Sequence, residues 1–189
     1  MINFKVFTRL ADGTLVLVRP LQPGDRDSIL EGFQRISPHS RYLRYNSVRS
    51  ALTAEELDTL TCPDEAHCLA LGAADLGKSS LYGIGVARYM ICQDEPYTAE
   101  FAIVIVDEYQ GRGLGSFMLD LLIGQARKHG LHTLCGYILP ENRAMIRMLK
   151  RVKAIIHQPE GGMIRADIPL ITVPSMAKGE KAADVAVMR

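Results

Sequence analysis

Residues 98–116, TAEFAIVIVDEYQGRGLGS, decide how the rest of the chain is read. TAEFAIVIV (98–106) is the most apolar strand candidate in the chain and is therefore expected near the centre of a sheet. It runs straight into a turn in which Gly111, Gly113 and Gly115 alternate with Arg112 and Leu114. The following stretch, GLGSFMLDLLIGQARKH (113–129), places Leu114, Phe117, Met118, Leu121 and Leu122 at helical spacing. Arg127, Lys128 and His129 fall in its last turn, where cations suit the helix dipole, and Gly130 is a natural stop. The unit is strand, glycine turn, helix. The first amides of such a helix lack intrahelical partners and carry partial positive charge. Glycines there let a bulky anion reach the backbone, so the expected guest is a phosphate or diphosphate. A plain turn needs about one glycine, whereas three alternating glycines each add an ordering cost.

Working outward, TLVLVRPL (14–21) reads as a strand closed by the turn QPGD, and Asp25 as a cap for the helix RDSILEGFQRIS. SRYLRYNSV reads as a second helix. A third starts at LTAEELDTL, where Thr53 and Glu56 form a capping-box pattern. HCLALGAAD (67–75) and LYGIGVARYMIC (81–92) read as strands joined through LGKSS. LHTLCGYIL (131–139) is a further strand, PENRAMIRMLKRV a helix, and KAIIHQ with GMIRADIPL an antiparallel pair around PEGG. The order predicts an α/β (α+β) domain with a mixed, mostly antiparallel sheet of six to seven strands and about four helices. One crossover, from 98–106 through a helix to 131–139, makes those two strands parallel. The expected boundaries are a domain over 1–172 and a flexible tail over 173–189, where the composition turns polar and small.

The chain has 189 residues and a net charge of +1, which builds no field suited to nucleic acid. No apolar run approaches the roughly 20 residues that span a bilayer, and the N-terminus has no apolar core of a secretory signal, so a cytoplasmic protein without a membrane partner is expected. The four cysteines, Cys62, Cys68, Cys92 and Cys135, lack metal or redox spacing and read as reduced, buried thiols. Cys62, His67 and Cys68 lie close in sequence but match no standard zinc pattern, so no metal is expected.

Two common phosphate-loop patterns fail on detail. A Walker A loop needs a lysine after its last glycine, and none follows Gly115. The dinucleotide fingerprint fits Gly111 and Gly113 but finds Ser116 in its third glycine place, and it belongs to a first strand–helix turn rather than a late one. Gln110-Gly111-Arg112-Gly113-Leu114-Gly115 does resemble the Q/R-x-x-G-x-G/A coenzyme A signature of the GNAT N-acetyltransferases. The resemblance extends over AEFAIVIVDEYQGRGLGSFMLDLLIGQARKHGLHTLCGYILPENRAM and, upstream, ISPHSRYLRY. It covers roughly residues 14–170 and is strongest to bacterial Pat-type protein lysine acetyltransferase domains.

That resemblance implies the GNAT fold, acetyl-CoA as acyl donor, and an amine acceptor, with a protein lysine as the leading candidate. It implies pantetheine pairing with the splayed strand near Ile105 and Val106. Their backbone N–H groups are also the expected donors to an oxyanion. The diphosphate would rest on the turn formed by Gln110, Gly111, Arg112, Gly113, Leu114, Gly115 and Ser116, with Arg112 able to add a charged hydrogen bond. Asn142 is implied to contact the pantetheine arm, although an Asn after LPE is also a good helix cap. An alkylamine with a pKa near ~10.4 must lose a proton before it attacks, and Glu100, a carboxylate in an otherwise apolar strand, is the implied general base. In an enclosed cleft it would be desolvated and tuned upward. Many family members place a tyrosine acid where this chain has Leu149, so the proton for the leaving thiolate must come from elsewhere. A small-molecule amine acetyltransferase and a catalytically silent acyl-CoA sensor remain alternative readings. They are separable by activity across an amine panel and by a Glu100→Gln variant. Arg41, Tyr42, Arg44 and Tyr45 read either as lining of the acceptor cleft or as a solvated helix face, the second being favoured. Monomer and homodimer are both compatible with the resemblance.

Overall fold

The computed structural model describes residues 4–47, 49–61, 66–78 and 82–170. Its frame is one eight-stranded sheet in the order β1-β2-β3-β4-β5-β6-β8-β7. The strands are β1 (Val6–Arg9), β2 (Leu15–Pro20), β3 (Cys68–Asp75), β4 (Tyr82–Ile91), β5 (Thr98–Ile105), β6 (Thr133–Ile138), β7 (Ile155–Ile156) and β8 (Ile164–Pro169). The helices are α1 (Arg26–Gln34), α2 (Pro38–Tyr45), α3 (Ala54–Leu60), α4 (Leu114–Lys128) and α5 (Arg143–Arg151). Every neighbouring pair is antiparallel except β5 and β6, the pair joined through α4. The expected class and the parallel crossover are therefore present. The strand count exceeds the expectation by the edge strand β1; the short β7 is the expected KAIIHQ strand, and the helices among the described residues number five rather than about four.

The most apolar segment lies inside the sheet as expected, and period-two alternation sorts its side chains. Those of Phe101, Ile103 and Ile105 turn toward α4, where the Ile105 and Met118 side chains meet over Gly85. Those of Glu100, Ala102 and Val104 turn to the opposite face, which α2 covers. α4 buries Leu114, Met118, Leu119, Leu122, Ile123 and Ala126 against the sheet. The buried stripe is thus rotated slightly from the one expected, leaving Phe117 and Leu121 half-buried at its border. A smaller cluster of Ile29, Leu57 and Leu60 packs α1 and α3 together on the other face.

Local signals act mostly as read. Thr53 and Glu56 close a reciprocal capping box on α3, with bonds of 2.8 and 3.1 Å. Asp25 corrects the expectation: it precedes α1, but its carboxylate does not cap that helix. It accepts two hydrogen bonds from Arg19 (2.7 and 2.8 Å) and one from the Gln22 N–H (2.8 Å), because a nearby guanidinium in a buried setting outcompetes a helix amide. Cys135 is buried and free, and Cys92 is half-buried and free. Cys68 corrects the reading of reduced thiols, since it is disulfide-bonded. Cys62, part of the LGKSS connection and the tail from residue 173 lie outside the described residues. Among the described residues no helix is long and apolar enough to cross a membrane.

Candidate active site

β5 and β6 pair only over Thr98–Glu100 and Thr133–Cys135. Beyond that point β6 continues beside β8 through Ile138, while β5 continues beside β4 through Ile105. The two parallel strands therefore part, and a cleft of about 860 Å³ opens between them. Its floor is Phe101–Ile105 of β5 and Gly136–Ile138 of β6, and α5 contributes Met145 and Met148. At the apex the Phe101 ring occupies the space that a Cβ on Gly136 would need, with ring carbons 2.7 and 2.9 Å from that position.

Strand alternation settles which backbone groups face the cleft. The Thr98 carbonyl accepts from Cys92 and the Val106 N–H donates to the Ile84 carbonyl at 3.0 Å, so even-numbered residues bond toward β4. The Tyr97 carbonyl bonds toward β6, and the Ile105 carbonyl accepts from Gln110 Nε2 at 3.0 Å. The odd-numbered residues Ile103 and Ile105 thus present their amides to the opening. Val106 is placed differently from the expectation: its N–H is spent on the Ile84 carbonyl, toward β4. The amide beside that of Ile105 on the open side belongs to Ile103, which the sequence reading missed. Knowing which way one amide points was the signal needed.

The glycine turn closes one end of the cleft. Gly111 (φ 71°) and Gly113 (φ 94°) adopt left-handed backbone, with nothing within 4 Å of where a Cβ would stand. Phe117 is the first α4 amide with a helical partner, the Gly113 carbonyl at 3.0 Å. The amides of Leu114, Gly115 and Ser116 precede it and lie at the positive end of the dipole. Gln110, Gly111, Gly113, Gly115 and Ser116 line the cleft, whereas the Leu114 side chain is buried in the core. Open space over two left-handed glycines, next to unpaired helix amides, fits a diphosphate. Arg112 is placed differently from the expectation. Its guanidinium pairs with Asp12 in the β1–β2 turn and lies over the Tyr109 ring, and its carbonyl accepts from the Ala11 N–H. It does not line the cleft. Asn142 lines it, but its Oδ1 caps α5 by accepting from the Met145 N–H at 3.1 Å. Its amide nitrogen has no partner among the described residues.

α2 forms the opposite wall, and a polar network holds it there. Asp107 accepts from the Ser37 N–H (2.8 Å), Ser37 Oγ (2.6 Å) and Ser40 Oγ (2.9 Å). Burial alone would raise the Asp107 pKa, but these hydrogen bonds outweigh it and hold it below the ordinary carboxylate value. Gln110 Nε2 also reaches Ser40 Oγ at 3.1 Å, tying the turn, the β5 edge and α2 together. Arg44 and Tyr45 consequently line the cleft, which corrects the reading of a solvated face; Arg41 instead donates to main-chain carbonyls and Tyr42 is exposed.

Glu100 lies at the last β5 position paired with β6, exposed on the cleft wall. The enclosure expected of it is absent. Its parallel partner Cys135 is buried, which pushes that thiol up to about 12. Leu149, in the place of the family's tyrosine, is fully buried in the core.

Comparisons with known proteins agree with this geometry. The acetyltransferase (GNAT) domain model matches residues 16–154. Acetyltransferase PA5475 of Pseudomonas aeruginosa is 33% identical over 136 residues, which is 72% of this chain and 73% of that protein. Acetyltransferase Pat of Mycolicibacterium smegmatis is 30% identical over 165 residues, covering 86% of this chain and 49% of that protein. The solved GNAT domain of S. lividans PAT superposes with a TM-score of 0.80 at 24% identity, over 87% of this chain and 96% of that one, and so shares the fold. A splayed parallel pair that ends in a bared helix start is thus found in a chain matched by the family model over most of its length, and the chain belongs to the GNAT family of acetyl-CoA-dependent N-acetyltransferases.

Proposed function

We propose that this chain acetylates the side-chain amine of a protein lysine by direct attack, with Glu100 as general base. The observation that carries the reading is the position of Glu100: among the described residues it is the one carboxylate lining the cleft, where β5 and β6 part. Acetyl-CoA supplies an activated acyl thioester. The diphosphate fits the amides of Gly113, Leu114, Gly115 and Ser116, and the outward amides of Ile103 and Ile105 supply donors along the pantetheine path. Glu100 takes the ammonium proton, directly or through water, because at neutral pH an amine with a pKa near ~10.4 is almost wholly protonated. Leu149 offers no acid, and a thiolate whose conjugate acid has a pKa near ~8.5 can be protonated by solvent. The resemblance to Pat-type protein lysine acetyltransferase domains favours a lysine acceptor, and the likeness to Acetyltransferase Pat over 86% of this chain is in keeping with that resemblance.

Release of free thiol from acetyl-CoA, measured across a panel of amines and lysine-bearing proteins, tests the reading. Glu100→Gln is expected to lower turnover about 10²–10⁴-fold while calorimetric affinity for coenzyme A stays unchanged. An unaltered rate in that variant removes Glu100 from the chemistry. Coenzyme A binding without turnover on any amine would favour a silent sensor.

A further inference from the structure

On the Glu100 side of the sheet a second, smaller cavity of about 70 Å³ adjoins the cleft. Arg44, Tyr45, Ala102 and Val104 line both spaces, so the two share a wall and make up a chamber on either side of it. The smaller one is mostly apolar, lined by residues such as Ile29, Phe33, Leu52 and Val86, yet several arginines reach its wall or its neighbourhood. Most are occupied. Arg19 is neutralised by Asp25 through two hydrogen bonds. Arg35 donates to the Gly83 carbonyl and lies 3.8 Å over the Tyr82 ring. Arg41 donates to main-chain carbonyls, and Arg49 pairs with Glu56. Arg44 and Arg88 differ: neither guanidinium has a hydrogen-bond or salt-bridge partner among the described residues. Arg44 has only the edge of the chamber and the Tyr45 ring, at 4.8 Å.

The register brings these groups together. Arg88 stands opposite Ala102, and Glu100 stands two residues along β5 on the same face of the sheet. Such diagonal neighbours lie about 7–8 Å apart at the backbone. Arg44 comes down on the same place from α2. Burial draws the Arg44 pKa below its ordinary value and the like charge of Arg88 adds to this, while Tyr45 and Glu100 act in the opposite sense. Among the described residues the buried nitrogens without a partner are Arg35 Nη1 and Arg41 Nε, so the guanidiniums of Arg44 and Arg88 are unpaired but open at the wall, where an anion can reach both. Besides the Arg19–Asp25 pair, the two spaces are lined by Arg44, Arg88, Arg147, Arg151 and Glu100, with Arg151 held by Asp120, so the walls are net positive and suit an acceptor that brings a carboxylate as well as an ammonium.

We propose that Arg44 and Arg88 form an anion subsite that takes a carboxylate carried by the acceptor a few bonds from the amine Glu100 deprotonates. The subsite deepens the reading of this cleft as the acceptor site and rests on it. A guanidinium fork suits a carboxylate because its planar donors match the two oxygens. Two sources share this chemistry: a free amino acid, and an acidic residue beside the reacting lysine of a polypeptide.

The test is calorimetric binding to the coenzyme A-saturated protein, repeated without coenzyme A, using matched acceptors. One arm compares free amino acids with their amides. The other compares lysyl peptides of equal length that carry Glu or Gln beside the lysine. The wild type is expected to bind the carboxylate member of at least one arm about tenfold or more tighter, and the arm that shows it names the source. Arg44→Gln and Arg88→Gln each abolish that preference and leave affinity for the uncharged member and for coenzyme A within about twofold. If either variant melts early, Arg44→Lys and Arg88→Lys replace it; they keep the charge, lose the fork and retain only part of the preference. Equal binding within every pair, or a preference that survives both substitutions, overturns the proposal. Transfer to neutral amines with no such preference leaves the transferase reading standing and removes only the subsite. Absence of coenzyme A binding removes the transferase reading, and the titrations on the free protein still decide the subsite.

Discussion

Two glycines in the same turn should respond to alanine with opposite signs. At Gly113 the backbone is left-handed, with φ 94°, and no atom lies within 4 Å of a Cβ there, so the cost is conformational rather than steric. An L-residue held in that region costs about 1–2 kcal/mol. Gly115 lies one residue inside α4 with helical backbone, where alanine is better than glycine by about 0.5–1 kcal/mol. Its new Cβ would meet the Met148 Sδ at 3.2 Å, the far end of a flexible side chain that can give way. Gly113→Ala should therefore lower the melting temperature by about 2–8 °C, and Gly115→Ala should leave it unchanged or raise it. Differential scanning calorimetry reads both. Gly113→Ala should also weaken coenzyme A, because relief of the strain reorients the amides of Leu114, Gly115 and Ser116. The reasoning fails if Gly113→Ala melts with the wild type, or if Gly115→Ala falls as far as Gly113→Ala.

Gly136→Ala should destabilise by about 1–3 kcal/mol, since its Cβ would stand 2.7 Å from the Phe101 ring in a packed wedge; a wild-type urea midpoint would show that the ring moves freely. Acid should unfold the protein through Asp25 and Asp107. Burial alone would raise both pKa values, but hydrogen bonds from Arg19 and from Ser37 and Ser40 bring them below the ordinary carboxylate value. The unfolded chain then binds more protons than the folded one, so this stabilisation is complete above about pH 4 and is lost as pH falls through the folded values. Asp25→Asn should flatten the dependence of stability on pH below about pH 4, and an unchanged slope would show that Asp25 does not contribute to it.

Much of this architecture was legible wherever one signal sufficed locally. The run Phe101–Val106 is too apolar for an edge, and the spacing after Gly113 admits only a helix. Thr53 with Glu56, and Asn142 three residues before Met145, mark helix starts that the structure confirms as caps. What escaped notice depends on partners distant in sequence. β1 is four residues long with alternate positions exposed, too weak a pattern to stand out before β2 pairs with it. Arg112 looked free in its turn, yet its partner Asp12 is 100 residues away. Arg44 and Arg88 belong to different elements, and each alone reads as an ordinary surface cation. Their convergence needs the Asp107 network, which sets α2 across β5.

In the proposed reaction a single element, β5, serves both substrates. Its side chains and its amides both alternate with period two, but along different axes: side chains point above and below the sheet, amides to the left and right within it. Odd positions send side chains into the α4 core and amides into the cleft, where pantetheine would lie. Even positions spend their amides on β4 and turn their side chains toward α2, so that Glu100 and, across the ladder, Arg88 share the acceptor face. A slip of one residue in the β4–β5 register would reverse both assignments together. Glu100 would be driven toward the apolar core, and the amide of Ile103 would turn away from the cleft. The apolar faces of Phe101, Ile103 and Ile105 forbid that slip, so the packing of this strand against α4 also keeps donor and acceptor on their own sides of the same backbone.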